Sequence, residues 1–107
     1  MLTLGIDTSN YTTSVAIYDG ENILKNCKKL LPVKDGERGL RQSDAVFHHT
    51  NQLADVFDEA FDGFSGKIDA IAVSSRPRDV EGSYMPCFTV GVNSARILAK
   101  ALKIPLY

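Results

Sequence analysis

Apolar and polar residues change period along this chain, and each change marks an element. Leu2-Thr3-Leu4-Gly5-Ile6 and Ser14-Val15-Ala16-Ile17-Tyr18 alternate as strands do. Asp19-Gly20 supplies residues that tolerate positive φ, so a two-residue hairpin into a third strand within 21–31 is expected. After a polar loop from Pro32 to Gly39, Ser43 or Asp44 is placed to cap a helix. Its apolar positions, Val46, Thr50, Leu53, Phe57, Phe61 and Phe64, are spaced by three and four.

Gly63 to Gly66 ends that helix, and 68–74 is a nearly continuous apolar run suited to a central strand covered on both faces in a parallel arrangement. Pro86 then opens a second helix with Phe88, Val92, Ala95, Leu98, Ala99 and Leu102 facing inward. Ile104-Pro105-Leu106-Tyr107 begins another strand. The predicted order is βββαβαβ, an α/β layer with a mixed sheet.

The chain has 107 residues, 44% of them hydrophobic and 23% charged, with a net charge of −1, which suits one folding unit with one core. No apolar run approaches the ~20 residues that span a bilayer, and the N-terminus enters a strand without a secretory signal pattern. A cytoplasmic protein without a membrane role is the expectation. Cys27 and Cys87, sixty positions apart, read as reduced small hydrophobes. The last strand begins without a turn or polar tail after it, so the expectation is that more protein follows.

The densest chemistry is the turn after the first strand, Asp7-Thr8-Ser9-Asn10-Tyr11-Thr12-Thr13-Ser14. A carboxylate at a strand end beside hydroxyls and turn N–H groups can serve a metal and a phosphate. The same residues also form hairpin turns for local reasons, since their side chains bond neighbouring backbone groups. Arg76 and Arg78 flank Pro77 in a second irregular stretch, where paired guanidiniums can grip an anion or simply face solvent. Gly82 and Ser83 lie just before a helix N-terminus, a favourable place for an anion. Lys25, Lys28, Lys29, Lys34, Arg38 and Arg41 outnumber Asp35 and Glu37 to give a local charge of +4. Such a stretch suits an RNA backbone or is a solvated surface, and it has no interleaved aromatics for base stacking. His48 and His49 diverge by about 100° on a helix and cannot both hold one metal.

Five blocks carry a family resemblance: Gly5-Ile6-Asp7-Thr8-Ser9 with Thr13 to Ala16; His49 to Leu53; Ile68 to Val73; Pro77 with Gly82-Ser83; and Gly91-Val92 through Leu102 to Pro105-Leu106. In these the chain resembles the N-terminal domain of the tRNA threonylcarbamoyladenosine synthase family, formerly O-sialoglycoprotein endopeptidases, within the actin–Hsp70–sugar-kinase superfamily. The resemblance implies a ribonuclease H-like (actin-like ATPase) domain over residues 1–107, with the family's second domain absent from this chain. It implies Asp7 as the catalytic cleft carboxylate, Thr8, Ser9, Asn10 and Thr12 as the phosphate or nucleotide loop, and Arg76, Arg78, Gly82 and Ser83 as a second cleft loop.

The full-length relative would use a divalent metal and an adenylate or ATP. The family's metal histidines fall beyond Tyr107, so no metal ligand set is expected here and no cofactor should bind this chain tightly. Expected partners are other subunits of a tRNA-modification complex, tRNA, and a second copy of the chain. His49 aligns with a family histidine but has Leu53, not a second ligand, at i+4; a hydrogen-bonded histidine on a helix flank is the simpler reading. Tyr11 and Thr12 replace an acidic pair, and Arg76, Arg78 and Glu81 alter the second loop, which implies a divergent relative. A non-catalytic scaffold paralogue with the same N-terminal domain is the alternative.

Overall fold

A computed structural model describes residues 1–9, 11–32, 41–76 and 86–107. Strands β1 (Thr3–Asp7), β2 (Thr12–Tyr18) and β3 (Ile23–Leu30) are followed by helix α1 (Gln42–Phe61), strand β4 (Ala70–Val73) and helix α2 (Phe88–Leu102). The sheet order is β3-β2-β1-β4, with β2 antiparallel to both its neighbours and β4 parallel to β1. The expected seventh element is reduced to one parallel bridge between Ile71 and Leu106. Proline at 105 has no N–H to extend the ladder, so pairing rests on Ile71 N–H to Pro105 O, Tyr107 N–H to Ile71 O and Val73 N–H to Tyr107 O.

Strand alternation places Leu4, Ile6, Val15, Ile17, Cys27 and Ile71 on one sheet face, where they meet Leu53, Val56 and Ala60 of α1 and Ala95 and Ala99 of α2. Each fully buried Leu or Ile there contributes about 1.5–3 kcal/mol relative to exposure. The opposite face carries Gly5, Asp7, Ser14, Ala16, Ala72 and Ser74. Together with Tyr107 they line an open depression of about 520 Å³.

Three local expectations are corrected. The β2–β3 connection is the four residues 19–22 rather than two, because Tyr18 pairs with Ile23 and the Asp19 carboxylate accepts N–H bonds from Glu21 (2.8 Å) and Asn22 (2.7 Å). Helix α1 starts at Gln42 with Arg41 as its cap residue and no side-chain cap bond, so neither Ser43 nor Asp44 caps it. Its buried stripe is Ala45, His49, Gln52, Leu53, Val56 and Ala60, rotated by one residue from the expected one. Thr50 is exposed, its hydroxyl turned back to the Val46 carbonyl at 2.7 Å, while Phe57, Phe61 and Phe64 pack at the margin of the core.

Helix α2 crosses the sheet at its closest approach through Gly91. A Cβ there would lie 3.0 Å from Thr8 Oγ1, 3.3 Å from Ile6 Cγ2 and 3.4 Å from Val73 Cγ2. A larger side chain must push the helix off the sheet. Gly91→Val is expected to lower stability by about 1–3 kcal/mol despite removing a helix glycine, seen as a fall in Tm of several degrees for a chain of this size; an unchanged Tm would show that the approach is not close.

Candidate functional site

The site lies where the parallel strands β1 and β4 end, the edge at which open α/β sheets collect ligands. Asp7 is the last residue of β1. Its Oδ1 accepts the Ser9 N–H and the Ser74 hydroxyl, each at 2.8 Å, so one oxygen both closes the turn and ties β1 to the end of β4. Partial burial opposes ionisation of Asp7. The hydrogen bonds from Ser9 and Ser74, with the charge of His49 behind them, outweigh it and hold the carboxyl below its ordinary value. The group is an anion at neutral pH.

The residue after it is fully buried. Thr8 Oγ1 donates to Cys87 O at 2.9 Å and accepts from Gly91 N–H at 3.0 Å. It stands between the carbonyl and amide that an α-helix would join directly, and so stitches the turn into the first turn of α2. Cys87 N–H donates to Gln42 Oε1 at 3.1 Å, which links the start of α2 to the start of α1, and Cys87 Sγ lies 3.6 Å from Ser9 O. Leu31, Ala45, Cys87 and Phe88 form a small second core beneath this corner.

One step beyond the Asp7–Ser14 pair, on the helix-facing side, Thr13 is likewise buried. Its hydroxyl lies 2.8 Å from His49 Nδ1 and accepts Gln52 Nε2 at 3.2 Å. Gln52 Nε2 also reaches Lys29 O at 3.4 Å. Buried polar side chains of this kind persist only when partnered, and among the described residues every one is.

Among the residues proposed from sequence, the structure brings Asp7, Thr8 and Ser9 together, with Thr12 at the start of β2. Thr8 offers no hydroxyl to a ligand, because both its bonds go to α2. Arg76 is exposed. Asn10, Arg78, Gly82 and Ser83 lie outside the described residues, as do Pro77, Glu81, Lys34 and Arg38. Cys87 N–H and Gly91 N–H, two donors at the start of α2, are already taken by protein acceptors. Burial raises the Cys87 thiol above its ordinary value and the nearby Asp7 charge adds to the effect, so the cysteine at this corner is a thiol rather than a thiolate. Both cysteines are free and buried.

Among the described residues no three His, Cys, Asp or Glu side chains converge to hold a metal. Asp7 supplies one uncommitted carboxylate oxygen, which does not make a metal site. The lysines of β3 do not form one stripe either. Period 2 sends Lys25 and Lys29 to the side of Cys27 and Lys28 to the side of Asp7 and Ser14, and Lys25 Nζ caps the end of α1 at Asp62 O, 3.2 Å away.

Ser74, Thr13, His49, Gln52 and Gln42 were missed or misplaced by sequence reasoning. His49 and Gln52 sit at i and i+3 with Ala45, Leu53, Val56 and Ala60 around them. That company of small and aliphatic residues was the available sign of a buried polar pair.

In sequence the chain is 32% identical to the tRNA N6-adenosine threonylcarbamoyltransferase of Sulfurihydrogenibium sp. (strain YO3AOP1), over 99% of this chain and 31% of that protein. It is 31% identical to the enzyme of the same name from Methanopyrus kandleri, over 99% of this chain and 30% of that one. The chain is a relative of the tRNA N6-adenosine threonylcarbamoyltransferases. It spans about a third of the length of the curated relatives it matches. No protein-family model matches it.

Among solved structures it superposes on YeaZ from Pseudomonas aeruginosa with a TM-score of 0.70 at 21% identity, over 99% of this chain and 41% of that one. A second protein, described as uncharacterized with similarity to peptidase YeaZ from Pseudomonas aeruginosa, gives 0.69 at 20% identity, over 98% and 41%. These neighbours establish the fold, which is the mixed α/β, ribonuclease H-like (actin-like ATPase) architecture expected from the sequence. Among the described residues no helix is long and apolar enough to cross a membrane.

The lowered pKa of Asp7 has a signed consequence. Because its folded value lies below the unfolded 3.8, its contribution to stability is fully present once pH is well above 3.8 and is lost as pH falls through the folded value. Urea midpoints measured between pH 6 and pH 2 should therefore decline at the acid end, and less steeply in Asp7→Asn. An identical acid slope in the variant would show that Asp7 is not held as an anion.

Proposed function

We propose that this chain is the N-terminal, actin-like domain of a protein of tRNA threonylcarbamoyladenosine biosynthesis, and that it presents Asp7 and the turn after it to the reaction cleft. The observation that carries this reading is an ionised carboxylate fixed by Ser9 and Ser74 where β1 and β4 end, in a chain whose sequence relatives bear the threonylcarbamoyltransferase name.

In such a transfer the N6 amine of adenosine 37 forms a bond to the carbamoyl carbon of threonylcarbamoyl-adenylate. The bond from that carbon to the phosphate oxygen breaks, AMP leaves as an anion, and the amine gives up a proton. At this corner Asp7 is the group able to take a proton or to anchor the donor, and Ser9 and Ser74 set its direction. The chain would supply one wall of the cleft, with the nucleotide's other contacts and any metal ligands provided by protein outside it. A cytoplasmic setting, tRNA and the other subunits of a modification complex follow from the same reading.

A second reading is a scaffold paralogue of the same system. Thr8 and the first donors of α2 are consumed by internal bonds, which suits a turn built for rigidity. The outer side of α2 and the chain end also expose Ile97, Leu102 and Tyr107, apolar area of the kind that drives association with a second copy or a partner subunit.

The test is genetic and chemical. Removing the gene for this chain from its own cells should eliminate threonylcarbamoyladenosine from total tRNA, measured by nucleoside mass spectrometry. Wild type should restore it, and Asp7→Asn at the same protein level should not. Unchanged nucleoside in the deletion would contradict both readings, whereas full restoration by Asp7→Asn would favour the scaffold.

A further inference from the structure

Helix α2 and the residues after it carry charge of one sign. From Phe88 to Tyr107 the charged side chains are Arg96, Lys100 and Lys103, with no aspartate or glutamate among them. Gaps of four and three put these cations on one flank of α2 and its C-cap. The other flank, with Leu98 and Leu102, lines a separate pocket with Phe57 and Phe61 of α1. Among the described residues none of the three cationic side chains has a hydrogen bond or an ion pair. Lysines near a helix C-terminus are favoured by its dipole and need no partner. What they border is less ordinary. Together they edge an open groove of about 1300 Å³ between α2 and 104–106, whose apolar lining runs from buried Ala99 and half-buried Ile104 out to exposed Ile97 and Leu106. It shares no lining residue with the depression that holds Asp7.

We infer that this groove docks an acidic amphipathic helix of a partner protein, its aliphatic seam against Ile97, Ile104 and Leu106 and its carboxylates on Arg96, Lys100 and Lys103. Unpaired cations without an acid among them select an anionic partner. The aliphatic lining then selects among anions, because an RNA backbone has no apolar seam to bury there and no aromatic side chain lines the groove to stack a base. Spacing selects the helix. The cations rise by about 6 Å and about 4.5 Å along α2, steps that a helix lying alongside repeats with carboxylates four and three residues apart, whereas a strand offers same-face residues every ~6.8 Å. A second copy fits less well. Among the described residues the acidic helix it would offer is α1, and beside Asp55, Asp58 and Asp62 the exposed face there has Ala54 in place of a large aliphatic side chain. The inference rests on the groove and not on the tRNA reading.

The experiment uses the whole chain and a synthetic, fluorescein-labelled helical peptide with glutamates at four-and-three spacing beside a leucine seam, followed by anisotropy at physiological salt. Wild type should bind it saturably, with 15N amide shifts gathered in residues 93–106. Arg96→Glu/Lys100→Glu changes two exposed positions and should leave the circular dichroism unchanged. It should weaken binding by about tenfold or more and should instead bind the same peptide with lysine in place of glutamate. Ile97→Ser should weaken the glutamate peptide while leaving the salt dependence as in wild type.

No saturable binding by wild type, or shifts confined to other residues, would overturn the inference, and so would a double variant that ignores the lysine peptide. A tRNA transcript that displaces the peptide and loses its own binding in the double variant would make the groove an RNA surface. A wild-type chain that sediments as a dimer while the double variant is a monomer would give the groove to a second copy. Either result overturns the assignment. If the double variant fails to fold, Lys100→Gln takes its place: it should weaken the peptide and flatten the salt dependence, and an unchanged affinity and salt slope count against the role. None of these readouts depends on tRNA modification, so the two ideas fail separately.

Discussion

Two buried hydroxyls carry the site. A hairpin turn at a sheet edge normally rests on its own local bonds, and a turn of hydroxyl residues has several competing ways to make them. Here Thr8 and Thr13, one on each side of the β1–β2 turn, point into the protein and bond to different helices: Thr8 to the first turn of α2, Thr13 to the middle of α1. Each hydroxyl has lost its water and would be costly to leave unpaired, about 1–3 kcal/mol, so the turn has one place to sit. Asp7, immediately before Thr8, inherits that position.

The packing follows from the same constraint. For Thr8 Oγ1 to reach Gly91 N–H, the backbone of α2 must come down onto β1, which only a residue without a Cβ allows. Gln42 then has a Cys87 amide within reach, and the small core of Leu31, Ala45, Cys87 and Phe88 closes the corner between the helices. The sheet face that holds Asp7 is separate from this wiring, lined by Gly5, Ser14, Ala16, Ala72 and Ser74. The side that fixes the turn and the side that carries Asp7 are thus opposite faces of the same two strands.

The sheet, the helices and their order were readable because each depends on a repeated pattern. Strand alternation and the spacings of three and four survive local errors. What went astray depends on single contacts across the fold. The aromatic series Phe57, Phe61, Phe64 pulled the expected face of α1 one residue away from the real stripe, since a large ring at the core margin weighs as much in a sequence pattern as one at its centre. His49 was placed on a flank because Leu53, not a second ligand, stands at i+4; what the local pattern did not show is its burial against Thr13, thirty-six residues earlier, whose hydroxyl lies 2.8 Å from Nδ1. Asp7 and Ser9 were recognised as a turn with a carboxylate, and the apolar run at 68–74 pointed to a parallel strand, but the role of Ser74 depends on the register of β4 beside β1, which no local signal announces.

The most direct measurement is equilibrium urea unfolding of Thr8→Val compared with Thr3→Val. Both replacements keep the β-branched shape on the same strand system, and only Thr8 has its hydroxyl bonded to α2. Thr8→Val is expected to lose about 1–3 kcal/mol while Thr3→Val stays within about 0.5 kcal/mol of wild type. Equal stability of the two variants would contradict the account, because the turn would then be held by something other than the hydroxyl that the structure places between Cys87 and Gly91.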